Sequence, residues 1–463
     1  MFVRHLVWRR RNMAGDDMNY IPNLHLKDEM LKEMGLNNID QLFEDIPPKI
    51  RIGDVKIPEG MSELEASRDI SAMFNKNVTC GMAASFLGGG MYRHFIPSSV
   101  NVVGGRSELY TAYTPYQPEL SQGMLQALWE YQSYIAELTG LPVVNTSMYD
   151  WASALGEAVR MALRVSKKNK VLIAKSIHWE RKQTLANYSK GTNAVIKEIP
   201  YDPGTGQVDM GTLTAEIDEN TAALYIENPN LFGVWEEEAP RLKAMLNGGV
   251  LIVGCNPMSL AVAKPPGEYG ADICIGEAQV FGNYMSYGGP TLGMFSCKKE
   301  FMRGMPGRII GITKDIAGKR AFCMTLSTRE QHIRRAKATS NICSNEAMCS
   351  VRAAAYLAIV GNDLKNVAEH SAVKAHWLAS ELDKVDGCNA PIFEGPYFNE
   401  FVLRVPSAKN AYRHLLNNNI FGGIKLKSEF PDLGETLLVA TTEMNTEEEL
   451  QRYVKAMKTL EVK

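Results

Sequence analysis

At 463 residues, with 45% hydrophobic and 22% charged residues, the chain has a globular composition and the length for two to three domains. Its formal net charge of −2 offers no broad attraction to nucleic acid or to an anionic membrane, and no apolar run approaches the ~18 residues of a membrane span. The eight cysteines, Cys255, Cys274, Cys323 and Cys343 among them, form no CxxC pair and no zinc-like Cys/His spacing. Reduced buried thiols in a cytoplasmic protein are therefore expected, and a metal is not.

Residues 1–23 open with MFVRHLVWRRRNMAGDD, basic and free of acids until Asp16. The run invites a transit-peptide reading but is very short for one; an accessory extension or a misplaced start is preferred, with Met13 and Met18 as alternative starts. From Leu24 to residue 110 the sequence reads as a helical arm and a glycine loop. LHLKDEMLKEMGLNNIDQL has helical Leu and Met spacing, PP and IPEG punctuate it, and SELEASRDISAMFNKN forms a second helix. Gly88, Gly89 and Gly90 follow in ASFLGGGMYRHFIP and permit close backbone approach, so that loop could meet a ligand.

TAYTPYQPELSQG, 111–123, sets Tyr113, Thr114 and Tyr116 among two prolines that fix the backbone, which suits either a polar active-site loop or a hydrogen-bonded turn. It feeds a helix with Leu125, Leu128, Tyr131, Ile135 and Leu138 on one face and Gly140 as C-cap. Next, NTSMYDWASALGEAVRMALRV places Thr146 and Ser147 ahead of a helix whose Ala154, Leu155, Ala158, Ala162 and Val165 share a face. Its N-terminus could cradle an anion, or Ser147 could simply be the N-cap. The runs VLIAKSIH, AVIKEIPY, AALYIENPN, GGVLIVGC and ADICIGEA carry little polar alternation and read as strands covered on both faces. GGPTLGMFSC and AFCMTLS add further strands. The expected architecture is an α/β fold, with a mainly parallel large-domain sheet over 111–361 and a smaller C-terminal α+β domain over 362–463.

A large α/β domain, an early helix N-terminus and a small C-terminal domain resemble the fold-type-I enzymes that use pyridoxal 5′-phosphate. Such enzymes need a lysine after the last strands of the large domain and an acid for the pyridine nitrogen. Here no lysine lies between Lys264 and Lys298, and LIVGCNPMS has Cys255 and Asn256 where the acid is wanted.

MYRHFIPSSV, RSELYTAYTPYQPELSQGMLQALWEYQSYIAELTG, NTSMYD, GGPTLG, MPGRIIG and TREQHIRRAKATSNIC stand in this order. Together they resemble the subunit 1 type of the glycine cleavage system P-protein, the N-terminal-half homologue of glycine dehydrogenase (decarboxylating). The resemblance runs from about Leu24 to the C-terminus. It implies a chain without the pyridoxal lysine, Gln279 falling near that position, paired with a paralogous cofactor-bearing subunit 2, most simply as α2β2. The implied reaction decarboxylates glycine and passes its aminomethyl group to the lipoyl arm of H-protein. The resemblance also implies that Tyr113, Thr114 and Tyr116 line or brace a shared tunnel at the subunit interface.

His94 is either a group of the shared site or a structural, hydrogen-bonded histidine. Arg329, His332, Arg334, Arg335 and Lys337 form a basic cluster that suits an acidic partner surface, a carboxylate or a solvated face. Trp151 stands where a smaller residue is expected, and Ala336 where an acid is. The missing lysine leaves two more readings open: a non-catalytic structural or regulatory scaffold, and an independent pyridoxal enzyme of another amino acid. The lysine-free interval opposes the second.

Overall fold

The structure is a computed structural model that describes residues 23–52, 60–112, 115, 117–324, 335, 338, 342 and 345–460. The chain divides into two compact units, Met1–Asn77 and Val78–Lys463. In the first, α1 spans Lys27–Glu33 and α2 spans Glu63–Phe74. Ser62 caps α2: its hydroxyl accepts from the Glu65 amide while the Glu65 carboxylate reaches back to the Ser62 amide.

The second unit is built on a seven-stranded sheet of order β2-β8-β7-β6-β5-β3-β4. Its strands are β2 (Val143–Val144), β3 (Lys170–Ala174), β4 (Val195–Ile199), β5 (Thr221–Glu227), β6 (Val250–Cys255), β7 (Ile273–Glu277) and β8 (Gly293–Cys297). The neighbours from β7 through β6, β5 and β3 to β4 pair parallel, and β8 runs antiparallel to both β7 and β2. The sequence expectation of strands covered on both faces holds at the centre: every residue of β5, β6 and β7 is buried. It fails at β4, where Val195 is 57% exposed and only Ile199 is buried, because β4 is the edge strand of the sheet and its two faces are only partly covered, leaving Lys197 and Glu198 exposed on opposite sides. The run AFCMTLS also leaves the main sheet: Arg320–Cys323 pairs antiparallel with Gly311–Lys314 as a separate hairpin.

Helix α5, Gln122–Thr139, buries Leu125, Leu128, Tyr131 and Ile135, and Gly140 ends it with φ 65°. Helix α6, Trp151–Ser166, buries Ala154, Leu155, Ala158 and Ala162 against the sheet, but Val165 near its end is 43% exposed. The last turn of α6 runs past the edge of the core, so the helical pattern outlasts the burial.

Toward the C-terminus, β11 (Glu400–Arg404), β14 (Thr436–Ala440) and β13 (Ile424–Lys425) make a three-stranded antiparallel sheet under long helices, Leu364–Asp383 and Glu447–Lys458. The short strand Ala84–Ser85 pairs parallel with Ile420–Phe421 and delivers the glycine loop to this region.

Candidate functional site

Parallel strands gather their outgoing loops at one edge, so the carboxyl ends of β3, β5, β6 and β7 face a common space. A cavity of about 430 Å³ lies there. It is lined by Gly88–Met91 of the glycine loop, Asp150–Ala152 at the start of α6, His178–Arg181 after β3, and Glu277, Gly288, Thr291 and Ile424. A second cavity of about 290 Å³ shares Gly88, Met91 and Ile424 with it and is more apolar, with Leu87, Met285, Phe421 and Met444 in its wall.

A buried polar network floors the first cavity. The Arg181 guanidinium donates to both oxygens of Glu227, Nε to Oε1 at 2.6 Å and an NH2 to Oε2 at 2.8 Å. The Tyr225 hydroxyl donates to the same carboxylate at 2.8 Å, and the Trp151 indole N–H donates to Tyr225 at 3.1 Å. The guanidinium also stacks on the indole, 4.0 Å from the ring centroid. Burial drives the Glu227 carboxyl up against the pull of Arg181. From the C-terminal sheet, Glu400 accepts the Gly89 amide at 2.7 Å and the Tyr92 hydroxyl at 2.8 Å, and burial pushes this carboxyl up to about 7. Gly90, with φ 108°, is required here: a Cβ would stand 2.7 Å from the Arg181 guanidinium.

Glu277, at the end of β7, accepts three backbone amides: Leu292 at 2.7 Å, Gln279 at 3.1 Å and Trp151 at 3.2 Å. Burial outweighs these donors and lifts the carboxyl to about 7. His178 accepts the Glu180 amide at its Nδ1, and burial, helped by the Arg181 charge, pushes it down to about 3.

The residues singled out in the sequence fall unevenly around this space. Tyr113, Thr114 and Tyr116 lie outside the described residues, as do Arg329, His332, Arg334 and Lys337 of the basic cluster, and Ala336. His94 is buried, its Nδ1 2.7 Å from Glu443 Oε2, and its Nε2 has no hydrogen-bond partner among the described residues; it lines neither cavity. Gln279 is 2% exposed and donates to the Asn283 carbonyl at 2.5 Å. The helix start proposed around Thr146 and Ser147 lies further on. Asp150 is the cap, its carboxylate accepting the Ser153 amide at 2.6 Å, while the Thr146 amide bonds the Arg308 carbonyl. Ser147 is therefore not the cap, and the first amides of α6 already face two carboxylates, Asp150 and Glu277.

These contacts decide whether a pyridoxal phosphate fits. A phosphate at the start of α6 would meet the carboxyl groups of Asp150 and Glu277, which already accept the Ser153 and Trp151 amides. The Trp151 indole lies over Gly254 on β6 so closely that a Cβ there would come within 2.9 Å of it, which leaves no room for a second ring between them. Gln279 cannot form an imine, and Cys255 and Asn256 offer no carboxylate to a pyridine nitrogen. The residues present do not fit the cofactor. Trp151, out of place as a sequence feature, packs between Arg181 and Gly254.

Sequence reasoning missed Arg181, Glu227, Glu277 and Glu400. For Glu227 and Glu277 the available signal was an acid closing an apolar strand, as in YIENPN and CIGEA; Arg181, in the helix after β3, and Glu400, at the start of its strand, carried no such signal.

A family model described as glycine cleavage system P-protein matches residues 18–457. A protein of Thermococcus onnurineus strain NA1 named "Probable glycine dehydrogenase (decarboxylating) subunit 1" is 46% identical over 446 residues, covering 95% of this chain and 99% of the relative. A protein of Staphylothermus marinus with the same name is 43% identical over 461 residues, covering 96% and 98%. A crystal structure of glycine decarboxylase (P-protein) of the glycine cleavage system, in inhibitor-bound form, superposes with a TM-score of 0.87 at 36% identity, over 96% of this chain and 100% of that one. A sphingosine-1-phosphate lyase of Burkholderia pseudomallei shares the fold at 14% identity and a TM-score of 0.63, over 89% and 93% of the two chains.

Proposed function

The chain belongs to the glycine cleavage system P-protein family, in the subunit 1 type of glycine dehydrogenase (decarboxylating), and from that premise we propose that it is the cofactor-free chain of a two-chain glycine decarboxylase. Pyridoxal 5′-phosphate, which supplies the electron sink for decarboxylation, is held by a paralogous partner, most simply in an α2β2 assembly. The aminomethyl group of glycine passes to the lipoyl arm of H-protein. This chain is not active alone.

The observation that carries this reading is the Trp151 indole, stacked on the Arg181 guanidinium and packed over Gly254 at the end of β6, with Gln279 near the place of the lysine. Such a chain serves the reaction from outside the cofactor: it supplies wall, hydrogen bonds and water exclusion to a site completed by its partner. Tyr113, Thr114 and Tyr116 are the residues proposed to line or brace the shared tunnel. His94, buried against Glu443, is better accounted for as a structural histidine.

The test is reconstitution. This chain and its paralogue, alone and together, are assayed for glycine cleavage with lipoylated H-protein and for glycine–bicarbonate exchange. Activity is expected only from the mixture; turnover by this chain alone with added cofactor would sink the proposal. Within the mixed complex, Tyr113→Phe or Tyr116→Phe keeps the ring and removes the hydroxyl. At least one is expected to lower turnover by roughly tenfold, about 1.4 kcal/mol, with assembly intact. Unchanged turnover in both would favour a scaffold role for this loop.

A further inference from the structure

The second cavity, of about 290 Å³, has a single charge in its wall. Leu87, Met91, Met285, Phe421, Ile424 and Met444 make most of that wall apolar, and the three methionines can adjust to the shape of a guest. Among the described residues that line the cavity, Arg93 alone is charged. Its guanidinium stands at the Cys80 side, where NH1 donates to the Cys80 carbonyl at 2.9 Å. That is the one hydrogen bond of the guanidinium among the described residues, and it forms no ion pair with any of them. Neighbouring carboxyls are engaged elsewhere and line no part of this cavity: Glu443 holds His94 Nδ1 at 2.7 Å and the Phe95 amide at 2.6 Å, while Glu400 holds the Gly89 amide and the Tyr92 hydroxyl.

We propose that this cavity is a binding site for a monocarboxylate that carries a short apolar chain. A guanidinium pairs with a carboxylate through two parallel N–H···O bonds, and here one negative charge cancels the one positive charge of the wall. A phosphate brings nearly two charges against one cation and leaves the excess facing apolar surface, and an amine meets Arg93 with like charge. The space is about twice the ~150 Å³ of a cavity that takes up benzene, so a chain of roughly five to eight carbons fits along the methionines and Phe421. Arg93 is held in place for this contact. Its carbonyl accepts the Thr442 hydroxyl at 2.7 Å, and the Thr442 amide is tied to Asn445 at 2.9 Å, so the C-terminal domain fixes the backbone that bears the guanidinium. The site is distinct from the first cavity but shares Gly88, Met91 and Ile424 with it, so a ligand seated here abuts the glycine loop that walls both.

The full chain is titrated by calorimetry with butyrate, pentanoate and hexanoate, and hexylammonium and inorganic phosphate are added as competitors. Hexanoate is expected to bind as a single class of site, with affinity rising roughly fourfold for each methylene added from butyrate to hexanoate. Neither competitor is expected to displace it. Arg93→Met keeps an apolar stem without the charge and is expected to weaken hexanoate roughly tenfold or more. Leu87→Glu, at a position 43% exposed, sets a carboxylate in the wall and is expected to weaken it as much with Arg93 still present. Circular dichroism confirms that each variant is folded; if Arg93→Met is not, Leu87→Glu decides. The proposal is overturned by the absence of saturable hexanoate binding to the wild type, by affinity that ignores chain length, by displacement with hexylammonium or phosphate, or by undiminished binding in either folded variant.

Discussion

Arg181 and Glu227 show how a buried charge becomes tolerable. Both side chains are almost wholly out of water, and each is held by the other's two-pronged geometry, by the Tyr225 hydroxyl and by the Trp151 ring. Arg181→Met leaves the carboxylate buried and unpaired and is expected to cost roughly 3–5 kcal/mol. Arg181→Met combined with Glu227→Gln should recover much of that loss, since no unpaired charge remains. A double-mutant cycle by chemical denaturation measures the coupling; additive losses would refute it. His178 gives a pH signature of definite sign. Its folded value of about 3 lies below the ordinary 6.5, so between these pH values the unfolded chain binds the proton and the folded chain does not. Its contribution to stability is full above pH 6.5 and is lost as pH falls toward 3. His178→Asn keeps a side chain able to accept the Glu180 amide and lacks the titration. Wild type is expected to lose roughly 1–2 kcal/mol more than this variant between pH 7 and pH 5. Parallel denaturation profiles for the two proteins over that range would rule the assignment out.

At the scale of elements, α6 does two jobs with its first turn. Asp150 closes a reciprocal capping box with Ser153, and the next residue, Trp151, carries the indole that fills the space above β6. Fixing the cap therefore fixes the plug. Asp150→Ala is expected to lower stability by about 1 kcal/mol, and Asp150→Asn to retain most of it, because either side-chain carbonyl can take the Ser153 amide. Denaturation midpoints of the two variants decide the matter: equal losses would mean that the charge of Asp150 matters and its capping bond does not.

Across the whole molecule, the cofactor-free reading proposed above draws on several places at once. No lysine follows β7, no acid stands at the end of β6, the start of α6 is taken by Asp150 and Glu277, and Trp151 packs over Gly254 of β6. Restoring one part does not restore the site. Gln279→Lys, incubated with pyridoxal phosphate and reduced with borohydride, is expected to yield no stoichiometric adduct at position 279. Such an adduct, mapped by peptide mass, would show that the lysine was the sole deficiency.

The amino-acid sequence by itself determined the sheet and the family. The central runs of β5, β6 and β7 are apolar without alternation because both of their faces are covered, and a pattern that depends only on neighbours along the chain can be read along the chain. The absent lysine and the six ordered motifs are likewise local facts, and the P-protein family followed from them. Edges were not legible: AVIKEIPY looks as apolar as an inner strand at its ends, and only its place beside β3 left Val195 exposed. The pairing of Arg181 with Glu227, 46 residues away, and of Tyr92 with Glu400, 308 residues away, could not be read at all. Such contacts are set by which strand ends meet and by how far burial must be compensated, and neither is a property of any one segment. Trp151 joins the two cases: its oddness was visible in the sequence, but only the tertiary structure showed that the indole stacks on Arg181 and packs over Gly254 of β6.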